Sequence, residues 1–225
     1  MQIVILPGLD GTGVLSWKIH EALTPHHKVV TLSYPPDLSQ YDELKNWVHT
    51  QLPDEPFVIV AESFSGPLAI MIAAEHAEFL KGVTFVATFA QKPRTLPVIC
   101  AYLFQIIPIN SVFLTQLAQP FLMGNWSNRQ FTSKFRQALS KVPASTLAKR
   151  LAGTLQVNVI SMLTEINVPM MYLRAKNDRL VPRRTSAPFK HAAVTIYEIE
   201  GPHFLLQANP KETAAKISEF VESLD

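Results

Sequence analysis

Short apolar runs alternate with amphipathic stretches along most of the 225-residue chain. Residues 2–6, 28–32, 56–60, 82–87, 168–173 and 194–199 are rich in Val, Ile and Leu without strict polar alternation. That pattern predicts strands covered on both faces, as in a parallel sheet. Between them, residues 14–23, 40–52 (behind a Ser39 cap), 64–79 and 210–224 (behind Asn209) repeat apolar positions at helical spacing. Strand–helix–strand repetition implies an open, mostly parallel α/β sheet of about six strands with helices on both faces. The rhythm breaks from about 91 to 166, where no strand is predicted. Pro93, Pro97, Pro108, Pro120 and Pro143 divide this region into short helices, including 128–140 and 144–157. It is also aromatic, with Tyr102, Phe104, Phe113, Phe121, Trp126, Phe131 and Phe135. The expected organisation is a core of residues 1–90 and 166–225 and a helical lid, 91–165, inserted after the fourth strand. The inner face of such a lid covers something apolar.

Composition narrows the classes. A 48% hydrophobic and 17% charged chain is globular, and a formal net charge of +2 offers no stripe for nucleic acid. Arg183, Arg184 and Lys190 are scattered among prolines. A lone cysteine, Cys100, excludes an internal disulfide and a cysteine-based zinc site, and it reads as a small buried hydrophobe. The apolar stretch 96–109 is too short to span a bilayer, and the N-terminal residues read as a strand. A cytoplasmic, reduced setting is expected, with no membrane span, no metal and no cofactor. Nothing in the pattern sets an oligomeric state.

The candidate chemistry lies at the carboxyl ends of the strands. In Val58-Ile59-Val60-Ala61-Glu62-Ser63-Phe64-Ser65-Gly66 an apolar run stops at a serine and a helical pattern begins. Among the chain's serines, Ser63 alone has Gly, Ala or Ser at both −2 and +2 (Ala61 and Ser65). A sharp strand-to-helix turn that presents a nucleophilic hydroxyl needs small neighbours there. The competing reading is that Ser63 caps the following helix. Glu62 beside it reads as an outward-facing, solvated glutamate.

A serine hydroxyl needs a base, and the base needs a third group to hold its tautomer. Of seven histidines, His203 follows the last strand in Glu200-Gly201-Pro202-His203-Phe204, before the final helix. Asp178 lies in the loop after the strand at 168–173, where its bland reading is an Asx-type turn with Asn177. The order Ser63, Asp178, His203, each at the end of a different strand, matches a hydrolytic triad. The first strand ends in Leu6-Pro7-Gly8-Leu9-Asp10-Gly11-Thr12-Gly13. These glycines fit neither the dinucleotide spacing nor a P-loop. Residues Gly8, Asp10 and Gly11 are read instead as an oxyanion loop, with the Leu9 and Phe64 N–H groups as the two donors.

Together these residues resemble the α/β-hydrolase superfamily over nearly the whole chain apart from the insert. Leu-Pro-Gly-Leu-Asp-Gly-Thr-Gly and Glu-Ser-Phe-Ser-Gly are similar to motifs of small bacterial esterases and plant phytyl-ester-synthase-type acyltransferases. The resemblance implies Ser63 as nucleophile, His203 as base, Asp178 as acid and the insert as a cap, on a core that begins at the family's third strand. Ala61 and Ser65 stand where the family has glycines, and Pro7 where a histidine is frequent. Serine at 63 excludes the aspartate-nucleophile chemistry of haloalkane dehalogenases and epoxide hydrolases. The expected substrate is a small-molecule acyl ester or thioester, with transfer to an alcohol, or ligand binding without turnover, as the alternatives.

Overall fold

The computed structural model describes residues 1–102, 122–192 and 194–224. Six strands, β1 (Gln2–Leu6), β2 (Lys28–Thr31), β3 (Phe57–Glu62), β4 (Leu80–Val86), β5 (Met170–Ala175) and β6 (Thr195–Ile199), form one sheet in the order β2-β1-β3-β4-β5-β6. Every neighbouring pair is parallel, and β1 and β3 match Gln2 to Phe57 through Leu6 to Ala61. All six predicted strands are present. A strand inside such a sheet has no solvent face, so both sets of alternating side chains are apolar. Ile3 and Ile5 point into one core layer with Val58, Val60, Ile19, Leu23, Ile217 and Val221. Val4 and Leu6 point into the other with Ile59, Ala61, Leu44, Val48, Leu68 and Ile72. Each such fully buried aliphatic side chain contributes about 1.5–3 kcal/mol.

Helices α1 (Trp17–Leu23) and α9 (Pro210–Glu222) cover the first layer, and α2 (Tyr41–His49) and α3 (Ser65–Ala74) cover the second. The cap of α2 is Gln40, not Ser39. Its side chain and that of Glu43 exchange hydrogen bonds with the backbone in a capping box. α3 begins at Ser65 and stops at Ala74, five residues short of the expected end. His76 and Phe79 adopt left-handed φ of 54° and 65°, which helical geometry cannot include.

Between β4 and β5 the described residues form α4 (Ile99–Tyr102), a 3₁₀ turn (Gly124–Trp126), α5 (Arg129–Ser140), α6 (Ala144–Thr154) and a second 3₁₀ turn (Ser161–Glu165). Asn128 caps α5 by accepting from the Phe131 N–H at 2.8 Å. Phe131 and Phe135 pack on Phe204 at 5.2 and 5.8 Å between ring centroids. Phe104, Phe113 and Phe121 lie outside the described residues. Tyr102 is exposed, and Cys100 is half-buried instead of fully buried. Two short helices, α7 (Ala187–His191) and α8 (Leu205–Ala208), flank β6. Among the described residues no helix is long and apolar enough to cross a membrane, and no cluster of three His, Cys, Asp or Glu could hold a metal ion.

Candidate active site

β3 delivers Ser63 into a left-handed turn, φ 50°, that L-residues adopt only when the surroundings enforce it. Three contacts enforce it here. The Ser63 N–H donates to the Val86 carbonyl at 2.9 Å, and the Ser63 carbonyl accepts from the Gly66 N–H at 3.1 Å and from Thr88 Oγ1. Ser63 is half-buried while Glu62, Phe64, Ser65 and Gly66 around it are buried, so its hydroxyl is the reachable group of the turn. The helix that follows takes no side-chain cap from the turn. The Ser63 hydroxyl instead faces a histidine, so the capping role does not apply.

That histidine is His203. Its Nε2 lies 2.8 Å from Ser63 Oγ, and its Nδ1 lies 2.8 Å from Asp178 Oδ2. The loops after β5 and β6 are laced together, which sets that second distance: the Lys176 N–H donates to the Ile199 carbonyl and the Asn177 N–H to the Gly201 carbonyl, both at 2.9 Å. Asp178 also makes a local Asx-type turn, with Leu180 and Val181 in place of the Asn177 anticipated for it. Its Oδ1 accepts from the Leu180 and Val181 N–H groups, each at 2.8 Å, while Oδ2 is left for the imidazole. Burial works against an imidazolium at His203, but the Asp178 charge and hydrogen bond, with a smaller contribution from Glu62, outweigh it and raise the pKa above the ordinary value. The three residues singled out from strand ends 140 and 25 positions apart therefore form one hydrogen-bonded chain.

The glycine loop after β1 lies beside this turn because β1 and β3 are neighbours. A Cβ placed on Gly8 would sit 3.9 Å from Glu62 Oε2. Ser65 joins the two loops, donating to the Pro7 carbonyl while bonding Tyr34 Oη at 2.6 Å. The Gly11 N–H donates to the Gly8 carbonyl at 3.0 Å, closing the turn, and Asp10 Oδ2 accepts from the Thr12 N–H at 2.9 Å. Leu9 is half-buried in this turn. Phe64 is buried, its ring stacked on Tyr41 at 4.8 Å and its carbonyl accepting from Tyr41 Oη at 3.0 Å. The turn needs glycine at 11, where φ is +72° and the Arg150 guanidinium occupies the place of a side chain.

Two residues escaped the sequence reading. Glu62 is not solvated: β3 runs on to Glu62, so the side chain enters the packed interior, 3% exposed. Desolvation pushes its carboxyl up to about 7 despite the lowering influence of His203 and of Gln207. Its Oε2 has a long contact of 3.4 Å to Gln207 Nε2, and Oε1 has no hydrogen-bond partner among the described residues. Arg150, on α6, is fully buried. An arginine amid the small and apolar residues of Ala144–Thr154 was the available signal.

A doubly wound parallel sheet with a strained serine turn after an inner strand defines an α/β-hydrolase architecture. A family model described as the alpha/beta hydrolase family matches residues 3–216, and the chain belongs to that family. Similar solved structures include the enol-lactonase from Burkholderia xenovorans LB400, at TM-score 0.86 and 14% identity over 98% of this chain and 91% of that one. The bromoperoxidase from Bacillus anthracis aligns at TM-score 0.82 and 18% identity, covering 98% and 91%. A lipase-esterase related protein from Clostridium acetobutylicum ATCC 824 aligns at 0.80 and 15%, covering 97% and 93%. No curated protein matches the chain.

Proposed function

We propose that the protein is a serine hydrolase that cleaves a carboxylic ester or thioester through an acyl-enzyme. The observation that carries this reading is the unbroken chain from Ser63 Oγ through His203 to Asp178, 2.8 Å at each link, with Ser63 in a strained turn. Ser63 Oγ attacks the substrate carbonyl carbon as its proton passes to His203 Nε2. Asp178 stabilises the resulting imidazolium, and the Leu9 and Phe64 N–H groups bind the oxyanion. The tetrahedral adduct collapses, the C–O or C–S bond breaks, and the leaving alcohol or thiol takes the proton from His203. Water then attacks the acyl-enzyme with His203 as base, and the acid departs.

Residues 91–165 act as the cap in this reading. The Phe131, Phe135 and Phe204 cluster beside His203 supports a lipophilic acyl group, since Phe204 is 5.6 Å from the imidazole between ring centroids. Hydrolysis of p-nitrophenyl esters from acetate to palmitate, by the protein and by Ser63→Ala, tests the proposal. Loss of at least 10⁴-fold in kcat in the variant is expected. Equal turnover in both proteins overturns it. Acyl-alcohol product forming in place of free acid when alcohols are added would make the enzyme a transferase with the same acyl-enzyme.

A further inference from the structure

We infer that Arg150 is the positioning residue of the oxyanion loop, so that the segment between β4 and β5 builds part of the candidate site from behind. The inference rests on reading residues 8–13 as that loop.

Arg150 is fully buried, and all five of its N–H donors go to main-chain carbonyls. Nη1 donates to Leu9 at 3.2 Å and to Asp10 at 2.7 Å. Nη2 donates to Pro35 at 3.1 Å and Leu38 at 2.9 Å, and Nε to Leu38 at 3.1 Å. Among the described residues no carboxylate forms an ion pair with it. Tyr34 lies beside the guanidinium, with its ring centroid 5.7 Å from Cζ. Burying a guanidinium without a carboxylate is expensive, and Leu147 and Ala148 on the same helix show what ordinary packing there uses. Burial lowers the guanidinium's pKa, and Tyr34, Asp10 and Asp37 support its charge electrostatically. The charge is sustained by four carbonyls that two loops aim at one point, matched by its five-donor fork.

The consequence for Leu9 follows from amide geometry. Arg150 holds the carbonyls of Leu9 and Asp10 and so fixes the peptide planes joining residues 9–10 and 10–11. The second plane carries the Gly11 N–H, which grips the Gly8 carbonyl. In a trans amide the C=O and N–H point in opposite directions. With the Gly8 carbonyl turned into the loop, the Leu9 N–H of the same plane is turned out of it. Gly11 completes the device, because a side chain there would occupy the guanidinium's place. Helix α6 is accordingly tied to the core, and lifting it would unpair these carbonyls.

The test compares Arg150→Lys and Arg150→Met with Leu147→Ala, a buried change on the same helix that leaves the guanidinium in place. p-Nitrophenyl butyrate reports kcat and KM, and butylboronic acid, which adds to a serine and places an oxygen where the oxyanion forms, reports the hole. Amide hydrogen exchange at residues 8–13 reports the loop itself. Arg150→Lys should lose about 10²-fold in kcat and in boronate affinity with KM little changed, as for loss of one oxyanion donor. Its residues 9–11 should exchange faster, while Leu147→Ala should lose thermal stability and keep kcat. Wild-type kcat and boronate affinity in Arg150→Lys overturn the inference, as does an equal kcat loss in Leu147→Ala at equal loss of melting temperature. If Arg150→Met does not fold, Arg150→Lys decides alone. If Ser63→Ala is as active as wild type, the hydrolase proposal falls separately, and unchanged exchange at 8–13 in Arg150→Lys is then what overturns this one.

Discussion

Two carboxyl groups act electrostatically on His203, and their surroundings differ in donors more than in burial. Asp178 stands on a loop whose backbone gives Oδ1 two N–H donors at 2.8 Å and leaves Oδ2 for the imidazole. Glu62 ends an interior strand, with one long contact to Gln207 and an oxygen that has no partner among the described residues. A carboxyl stripped of water without replacement donors gives up its charge near neutrality, and burial pushes Glu62 up to about 7. Asp178 is positioned to bond the imidazole, and Glu62 is suited to a proton that comes and goes.

The comparison breaks most visibly at Asp178. Asp178→Asn should lower kcat by about 10⁴-fold, because the amide no longer holds the productive imidazole tautomer. Steady-state ester hydrolysis measures this, and near-wild-type turnover would mean that Glu62 can substitute as the histidine's acid. The next effect is on stability. Folding raises the Glu62 carboxyl from 4.5 to about 7, so between those values the native state holds a proton the unfolded chain has lost. Stability therefore falls as pH rises through that window, by about 3 kcal/mol when complete. The raised His203 adds in the same direction: its contribution is full below its unfolded pKa and is lost as pH rises through the folded one. Urea unfolding at about pH 5 and pH 8 should show this decline in the wild type and a flatter one in Glu62→Gln. Parallel slopes would refute a titrating buried Glu62.

A subtler effect lies in the rate profile. Ionised Glu62 supports the imidazolium, so Glu62→Gln should shift the rising limb of kcat/KM toward lower pH. An unmoved limb would show that Glu62 acts on stability without acting on the base. The smallest change is Ser16→Ala. Ser16 Oγ, like Gln207 Oε1, is buried with no partner among the described residues, and Gln207 also donates to the Leu15 carbonyl at 3.0 Å. Deleting an unbonded hydroxyl should be neutral or raise stability by up to about 1 kcal/mol. A loss larger than that, in thermal unfolding, would mean the hydroxyl is bonded through a buried water.

The legible part of the molecule was the part written in local pattern. Unalternating apolar runs predicted all six strands, because an interior strand of a parallel sheet carries no polar face. Loops that follow strands predicted Ser63, Asp178 and His203 as neighbours, because parallel strands end on one side of the sheet. The strand ends were less legible. Placing the end of β3 at Val60 instead of Glu62 turned a buried acid into a solvated one, a two-residue difference that reverses its electrostatics.

By itself, then, the sequence determined the sheet, the serine turn and the order of the three residues that meet there. These depend on the period of apolar positions and on backbone conformations that only small residues permit. Tertiary structure alone decided the state of the charges. Burial pushes Glu62 up against a lowering contact from Gln207, 145 positions away, and Arg150 finds Leu9 and Asp10 at separations of 141 and 140. A buried charge is stable only where donors and acceptors converge in space, and no run of neighbouring residues records that convergence.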